Sequence, residues 1–230
     1  MLAQPGIASW EARRLENLKY TSSAIMFYWG ADRVFPQLTH HNVFLSDDYR
    51  GSFERIFKAH ELPEEPSFYV HAPARTDPAA APSGQDTLFV LVPVGHLDER
   101  AGQDWHCLRQ RARSAVLSRL EGLGLNDLEA HLKFEVCYTP QVWQQRYNLA
   151  KGAAFSLSHN FMQIGYLRPH NRHSRYRNLY FVGGSTHPGT GLPIVLLSAR
   201  LVVERIVGEG DRGKDGRLEE RKVEKTESRL

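Results

Sequence analysis

Asn178-Leu-Tyr-Phe-Val-Gly-Gly-Ser-Thr-His-Pro-Gly-Thr-Gly-Leu-Pro193 is the stretch of sequence that decides the fold. A short apolar run over 179–182 is followed by a glycine-rich turn and by Pro193, a residue tolerated in the first turn of a helix. The stretch therefore predicts a buried strand, a tight turn and a helix start in direct succession. Such a turn lets the backbone approach a flat ligand closely, and the free amides at the helix start favour an anion.

Patterns upstream predict an antiparallel sheet with helices. Apolar, branched and aromatic runs predict strands at 22–29, 68–70, 88–94 and 132–138. Apolar spacing and capping residues predict helices at 9–18, 48–59, 104–120, after Thr139-Pro140 and from Leu192. In the second of these helices, Ser46 or Asp47 is the expected cap, and the expected core residues are Tyr49, Phe53, Ile56 and Phe57. A polar and aromatic loop is expected around His40-His41.

Composition narrows the class of protein. The chain has 230 residues, 41% of them hydrophobic and 24% charged, and a net charge of only +3 with acidic and basic residues interleaved, which argues against a nucleic-acid partner. Cys107 and Cys137 are expected to be free thiols, as in a reducing compartment. Neither a secretory signal nor a spanning run is seen, so the protein is expected to be intracellular, cytoplasmic or peripheral on an internal membrane. The arginines of the helix over 104–120 are expected to face solvent or an anionic membrane surface.

Other chemistries find weak support in the sequence. Ser185 follows two glycines as in a nucleophile elbow, but His187 stands where that motif needs glycine. His170 and His173 have a spacing that could begin a metal site, yet no second ligand cluster follows closely, so no metal is expected. The acidic residues offer no clear general base, and the catalytic residues stay unknown.

The chain resembles the carotenoid desaturases of the bacterial and fungal phytoene desaturase type. The resemblance lies in the stretch quoted above and in the segments 138–160, 167–172, 66–70, 75–82 and 91–95. It implies an FAD-dependent oxidoreductase of carotenoid biosynthesis that desaturates phytoene toward lycopene-type polyenes. An apolar polyene would need an apolar tunnel, for which the strands supply Phe27, Tyr28, Trp29, Phe68, Tyr69 and Phe89. Two alternatives within the resemblance stay open, a carotenoid isomerase and a retinoid saturase.

The resemblance also implies which residues contact FAD. Gly183 and Gly184 would let the turn pass the pyrophosphate and ribityl chain, Ser185 and Thr186 would offer hydroxyls or amides, and the rest of the motif would run beside the isoalloxazine. The implied cofactor-binding residues are Gly183, Gly184, Ser185, Thr186, Gly189, Gly191, Leu192 and Pro193.

The Gly-x-Gly-x-x-Gly fingerprint for the other half of FAD does not occur in the sequence. The chain is therefore expected to be the C-terminal part of such an enzyme, with the missing N-terminal half or a second copy as a partner. A non-enzymatic product that binds a full-length desaturase is the remaining alternative. The expected fold class is α+β, an antiparallel substrate-domain sheet with helices plus the last strand and helix of a Rossmann-like FAD-binding domain. The expected divisions are an N-terminal helix over 1–20, a substrate-domain-like region over 21–177, the flavin-contacting strand, turn and helix over 178–207, and a disordered charged tail over 208–230.

Overall fold

The computed structural model describes residues 17–176 and 178–208, which fall into two units, one ending at Ser156 and one beginning at Leu157. The predicted helix over 9–18 and the predicted charged tail lie outside the described residues, apart from residues 17, 18 and 208. The segment 157–176 thus belongs to the same unit as the glycine-rich stretch.

A five-stranded antiparallel sheet forms the first unit. The strand order is β2-β3-β4-β1-β5, with every neighbouring pair antiparallel. The strands are β1 Ser23–Ala31, β2 His41–Phe44, β3 Phe68–His71, β4 Asp86–Val94 and β5 Leu132–Tyr138. This confirms the expected α+β class and four of the predicted strands. The expectation of a loop at His41 is wrong, because residues 41–44 pair with β3 and form the edge of the sheet.

The helices are α1 Tyr49–Glu54, α2 Trp105–Gly122, α3 Leu128–His131, α4 Pro140–Tyr147 and α5, which spans 192–208. A single π-helical turn, Arg55–Ala59, continues α1. In the ranges 17–176 and 178–208, no helix has the length and apolar character needed to cross a membrane.

The sequence-based description of α1 needs two corrections. Asp48, rather than Ser46 or Asp47, caps this helix, because its carboxylate accepts a hydrogen bond from the amide of Gly51 at 2.8 Å. Of the four expected core residues only Ile56 is buried. The other three are exposed by 40% to 59% and form a row of rings on the outer side of the helix: Tyr49, Phe53 and Phe57.

The core of the first unit lies on one face of the sheet. Alternate residues of the strands point to this face and pack with the buried side of α2. Typical members, each 0% exposed, are Phe27, Trp29, Val90, Ala112 and Val116. Burial of these side chains excludes water from both elements and holds α2 against the sheet.

The arginines of α2 are bound within the first unit. Arg109 and Arg113 both donate to Glu135 of β5, at 2.8 and 2.7 Å. Burial alone would raise the pKa of Glu135, but hydrogen bonds from Arg113, Arg109 and Trp29 outweigh it and hold that pKa below its usual value. Arg111 and Arg119 donate to backbone carbonyls of Leu62 and Leu45. Arg109 and Arg111 are nevertheless exposed, as expected for a face that meets solvent, and contact of this face with a membrane stays a prediction.

The second unit contains α5 but little strand. The predicted strand over 179–182 is reduced to one antiparallel bridge between Arg172 and Tyr180, with a hydrogen bond from the amide of Phe181 to the carbonyl of Asn171 at 2.8 Å. A parallel strand needs neighbouring strands to satisfy its backbone groups. Over 157–176 and 178–208, this short antiparallel contact satisfies some of them instead.

Candidate functional site

The predicted cofactor residues lie together in a turn that leads into α5. Gly183 has a φ of 129°, a conformation that L side chains rarely adopt. Both the amide and the hydroxyl of Thr186 donate to the carbonyl of Gly183, at 3.2 and 3.1 Å, and close the turn. Gly184 is half-buried, whereas Ser185, which lies between Gly184 and Thr186, is exposed. The turn therefore presents backbone, and little side chain, to its open side.

The second half of the turn positions the helix start. Gly189 is buried with a φ of 150°, and a Cβ there would lie 2.8 Å from Nε2 of His159. The carbonyl of Gly191 accepts a hydrogen bond from the amide of Val195 at 2.8 Å, which begins α5. Leu192 and Pro193 occupy the exposed first turn of that helix. The backbone conformation at 189 thus favours glycine, and any other residue would also displace the ring of His159.

A buried arginine, Arg168, stabilises the turn through hydrogen bonds to backbone carbonyls. Arg168 is 1% exposed, and its guanidinium donates to backbone carbonyls of Gly184 (2.5 Å), Gln163 (2.9 Å) and Leu157 (3.0 Å). Its partners in the described part of the chain are carbonyls and a hydroxyl, with no carboxylate among them. Burial lowers the pKa of Arg168 from its usual value, although an arginine stays protonated in proteins. A positive charge without a paired acid is therefore fixed beneath the glycine turn.

Asn171 and Ser198 form a second support. The side-chain amide of Asn171 donates to the hydroxyl of Ser198 at 3.0 Å and to the carbonyl of His187 at 2.8 Å. Ser198, which is 0% exposed on α5, donates to that same carbonyl at 3.0 Å. These bonds tie the turn to the helix. Sequence reasoning missed Arg168, Asn171 and Ser198, and the available signal for the first two was that 167–172 belongs to a resembling segment.

The turn fits a flat anionic ligand. A Cβ at Gly183 would meet nothing within 4 Å, so the space next to the backbone is open. Amides at the start of α5 and the guanidinium of Arg168 both place positive charge near the glycine turn. The resemblance-based assignment of the eight residues stays a prediction, which this geometry supports.

Histidines of the second unit behave as loop residues. Nδ1 of His173 accepts hydrogen bonds from the amides of Arg175 and Tyr176, at 3.1 and 3.2 Å. His170 is exposed, as its expected loop position suggests.

The first unit carries a separate feature, an aromatic face on the side of the sheet away from the core. The six aromatic residues expected to line a tunnel divide between the two faces, because side chains alternate along a strand. Phe27, Trp29 and Phe68 lie in the core. Tyr28, Tyr69 and Phe89 are half-buried on the other face.

The rings of this aromatic face form a continuous row across four strands and onto α4. Centroid distances of 5.4 Å and 5.5 Å join Tyr28 to Phe89 and to Tyr138, and 5.5 Å joins Phe89 to His71. Trp143 of α4 lies 5.0 Å beyond Tyr138. Burial, followed by the neighbouring Tyr138 and Tyr147, raises the pKa of Tyr28, so its hydroxyl stays uncharged at neutral pH. This is an extended apolar surface suited to a long hydrocarbon.

Comparisons with known proteins show the family of the chain. Residues 1–207 match the profile of the family described as flavin containing amine oxidoreductase. A zeta-carotene-forming phytoene desaturase from Myxococcus xanthus is 50% identical over 85% of this chain and 37% of its own length. A phytoene desaturase from Fusarium fujikuroi is 42% identical over 85% of the chain and 38% of its own. A 4,4'-diapophytoene desaturase from Methylomonas is 40% identical over 89% of the chain and 40% of its own.

The chain therefore belongs to the flavin-containing amine oxidoreductase family. Among its relatives it is similar to phytoene desaturases, and it spans well under half the length of those it matches.

Proposed function

We propose that this chain supplies the polyene-binding sheet and the isoalloxazine-side turn of an FAD-dependent desaturase of carotenoid biosynthesis, with phytoene as the substrate. The observation that carries the proposal is the open aromatic face, which offers a long uncharged surface to a substrate that has no polar group. The glycine turn and the names of the similar proteins support the same assignment.

The turn would hold FAD through its backbone. Gly183 and Gly184 would leave room for the pyrophosphate and ribityl chain, and the guanidinium of Arg168, bound to the carbonyl of Gly184, would add positive charge to the turn. Amide donors suit this role because they need no particular side chain at Ser185. When bound, FAD supplies the acceptor for the hydride that leaves the saturated carbon pair.

The aromatic face would orient the polyene and exclude water. Half-buried rings such as Tyr28 and Phe89 contact a hydrocarbon without requiring a hydrogen bond from it. Because the pKa of Tyr28 is raised, its hydroxyl stays uncharged on this face. The alignment of the chain on this surface would decide which carbon pair is presented for oxidation.

Reconstitution tests the proposal. The chain is expressed alone and together with the N-terminal half of a fungal phytoene desaturase, and flavin absorbance and phytoene conversion are measured after desalting. We expect bound FAD and desaturated products from the pair only. A soluble, stably associated pair that retains no flavin would contradict the proposal, and a flavin-loaded pair that isomerises or saturates its substrate would favour the sibling reactions.

Gly183→Ala is expected to lower the flavin content of the reconstituted pair by about tenfold, because the methyl group enters the space beside the turn and the backbone is strained. Gly165→Ala is the matched control, since Gly165 lies in the same unit with a φ of 57° and nothing within 4 Å of a Cβ. Flavin per folded pair is measured by absorbance. Equal flavin loss in both variants would assign the effect to strain alone.

Phe89→Asp is expected to reduce phytoene retention by the reconstituted pair about tenfold, because a carboxylate must be desolvated next to the hydrocarbon. Leu123→Asp is the control, as Leu123 is an apolar residue, 53% exposed, after the end of α2. Retained phytoene is extracted and quantified after detergent removal. Unchanged retention with Phe89→Asp would exclude the aromatic face as the binding surface.

The location of the protein is also a proposal. We infer an intracellular protein, cytoplasmic or peripheral on an internal membrane, and the exposed rings of Tyr49, Phe53 and Phe57 support contact with an apolar surface.

A further inference from the structure

Three histidines meet at the edge of the sheet in the first unit. His41 of β2 is the register partner of His71 of β3, and His40 directly precedes β2. The backbone is fixed there by a hydrogen bond from the amide of Ala72 to the carbonyl of His40 at 3.0 Å. One ring nitrogen from each histidine lies within 4.8 Å of those of the other two.

The spacing of these nitrogens is close to that of a metal site. Nε2 of His40 and Nε2 of His71 are 3.0 Å apart. Two imidazoles on one tetrahedral zinc ion, each about 2.1 Å from the metal, place their nitrogens roughly 3.4 Å apart. The ring of His41 is stacked on that of His71, with their centroids 5.2 Å apart, and supplies the third nitrogen.

Neighbouring hydroxyls hold two of the rings by their other nitrogen. Oγ1 of Thr76 lies 2.6 Å from Nδ1 of His40, and the hydroxyl of Tyr69 lies 2.6 Å from Nδ1 of His41. When each Nδ1 carries the proton, the lone pair of Nε2 is free to bind a metal. This is the outer-shell arrangement that fixes the tautomer and orientation of metal-binding histidines.

We propose that His40, His41 and His71 bind one divalent transition-metal ion of the zinc class, with water completing the coordination. The ion joins the edge strand β2 to β3 through side chains, in addition to the backbone ladder. His71 is also a ring of the aromatic row, but the proposal does not depend on the proposed function, since it requires only the ring nitrogens of the three histidines.

Metal binding requires the neutral form of each imidazole. The competing explanation is a direct hydrogen bond between the rings of His40 and His71 with no ion.

Zinc binding by the purified, tag-free full chain tests the proposal. Zinc per chain is measured by elemental analysis after dialysis, the dissociation constant by calorimetry, and the site geometry by the visible spectrum of the Co²⁺ form. We expect one zinc per chain, a tetrahedral Co²⁺ spectrum, and a rise in melting temperature on adding zinc.

His41→Ala is the first variant, because His41 is exposed and its removal leaves the core intact. We expect its zinc affinity to fall about tenfold or more, with loss of the tetrahedral Co²⁺ spectrum, and a larger fall in His71→Ala. His106→Ala, an exposed histidine of α2, is the matched control and should bind as the unaltered chain does. Circular dichroism of each metal-free variant shows that it is folded.

Two outcomes would overturn the proposal. One is a folded His41→Ala chain that binds zinc with unchanged affinity and spectrum. The other is an unaltered chain whose zinc affinity equals that of the His40, His41 and His71 triple alanine variant, which would leave the ring-to-ring hydrogen bond as the explanation of the cluster.

Discussion

Replacing Arg168 by alanine is expected to destabilise the second unit by about 3 kcal/mol or more, because buried acceptors without donors each cost roughly 1–3 kcal/mol. The guanidinium satisfies carbonyls of four residues: Leu157, Ser158, Gln163 and Gly184. Lysine at this position keeps the charge, but it lacks the planar fork that reaches several carbonyls at once. Arg168→Lys is therefore expected to recover only part of the loss.

Hydrogen exchange measured by mass spectrometry is the suitable test. All four tryptophans of the sequence, at 10, 29, 105 and 143, precede residue 157, so tryptophan fluorescence does not report on the second unit. We expect protection to be lost mainly over 157–176 and 178–208. Arg200→Ala is the control, because Arg200 is exposed and, among the described residues, pairs along α5 with the exposed Glu204. Equal hydrogen exchange in the Arg168→Ala and Arg200→Ala variants would show that Arg168 does not stabilise the turn.

Asp86→Ala is expected to cost the first unit about 3–5 kcal/mol, the range seen when one member of a buried ion pair is removed. The carboxylate of Asp86 is 0% exposed and accepts two hydrogen bonds from Arg75, at 2.6 and 3.1 Å, and one from the amide of Phe35 at 3.1 Å. Its removal leaves both donors without that partner. Urea denaturation followed by tryptophan fluorescence measures the loss, since Trp29 and Trp105 are buried in this unit.

Two companion variants make the Asp86 result specific. Glu54→Ala removes an exposed pair with Lys58 and is expected to change stability by less than about 0.5 kcal/mol. Replacing Asp86 by leucine together with Arg75 by methionine removes both charges, so part of the stability should return. A double variant as unstable as Asp86→Ala would show that hydrogen bonds to backbone, rather than the unpaired charge, dominate the loss.

The sequence predicted the elements whose signals are local. The sequence predicts strand β5 with its observed bounds, 132–138, where apolar residues alternate with Lys133 and Glu135 ahead of a proline. The start of α4 at Pro140 follows from the adjacent Thr139 and Pro140, whereas Asp104, which the sequence places within the helix over 104–120, is the N-cap of α2. The glycine turn was likewise recognisable, since Gly183 and Gly189 adopt conformations that other residues avoid.

Features that depend on distant partners were missed. Nothing within a few residues of Arg109 or Arg113 indicates Glu135, which reaches them only because β5 pairs with β1 beside α2. The histidine cluster was missed for the same reason. The number of residues between His41 and His71 does not predict that they are neighbours, because that depends on the register of β2 and β3. Strand alternation could have separated Tyr28 from its neighbours Phe27 and Trp29 at the sequence level.

The position of β5 in the sheet has a consequence for how the chain folds while it is being synthesised. β5 is last in the chain among the five strands, yet its partner is β1, the first, and the indole of Trp29 donates to Glu135, 106 residues later. Closing so long a loop is slow, and contacts of this range delay folding. A nascent chain that has reached only Gly122 therefore contains four of the five strands, while the backbone of β1 still lacks its pairing partner on one side.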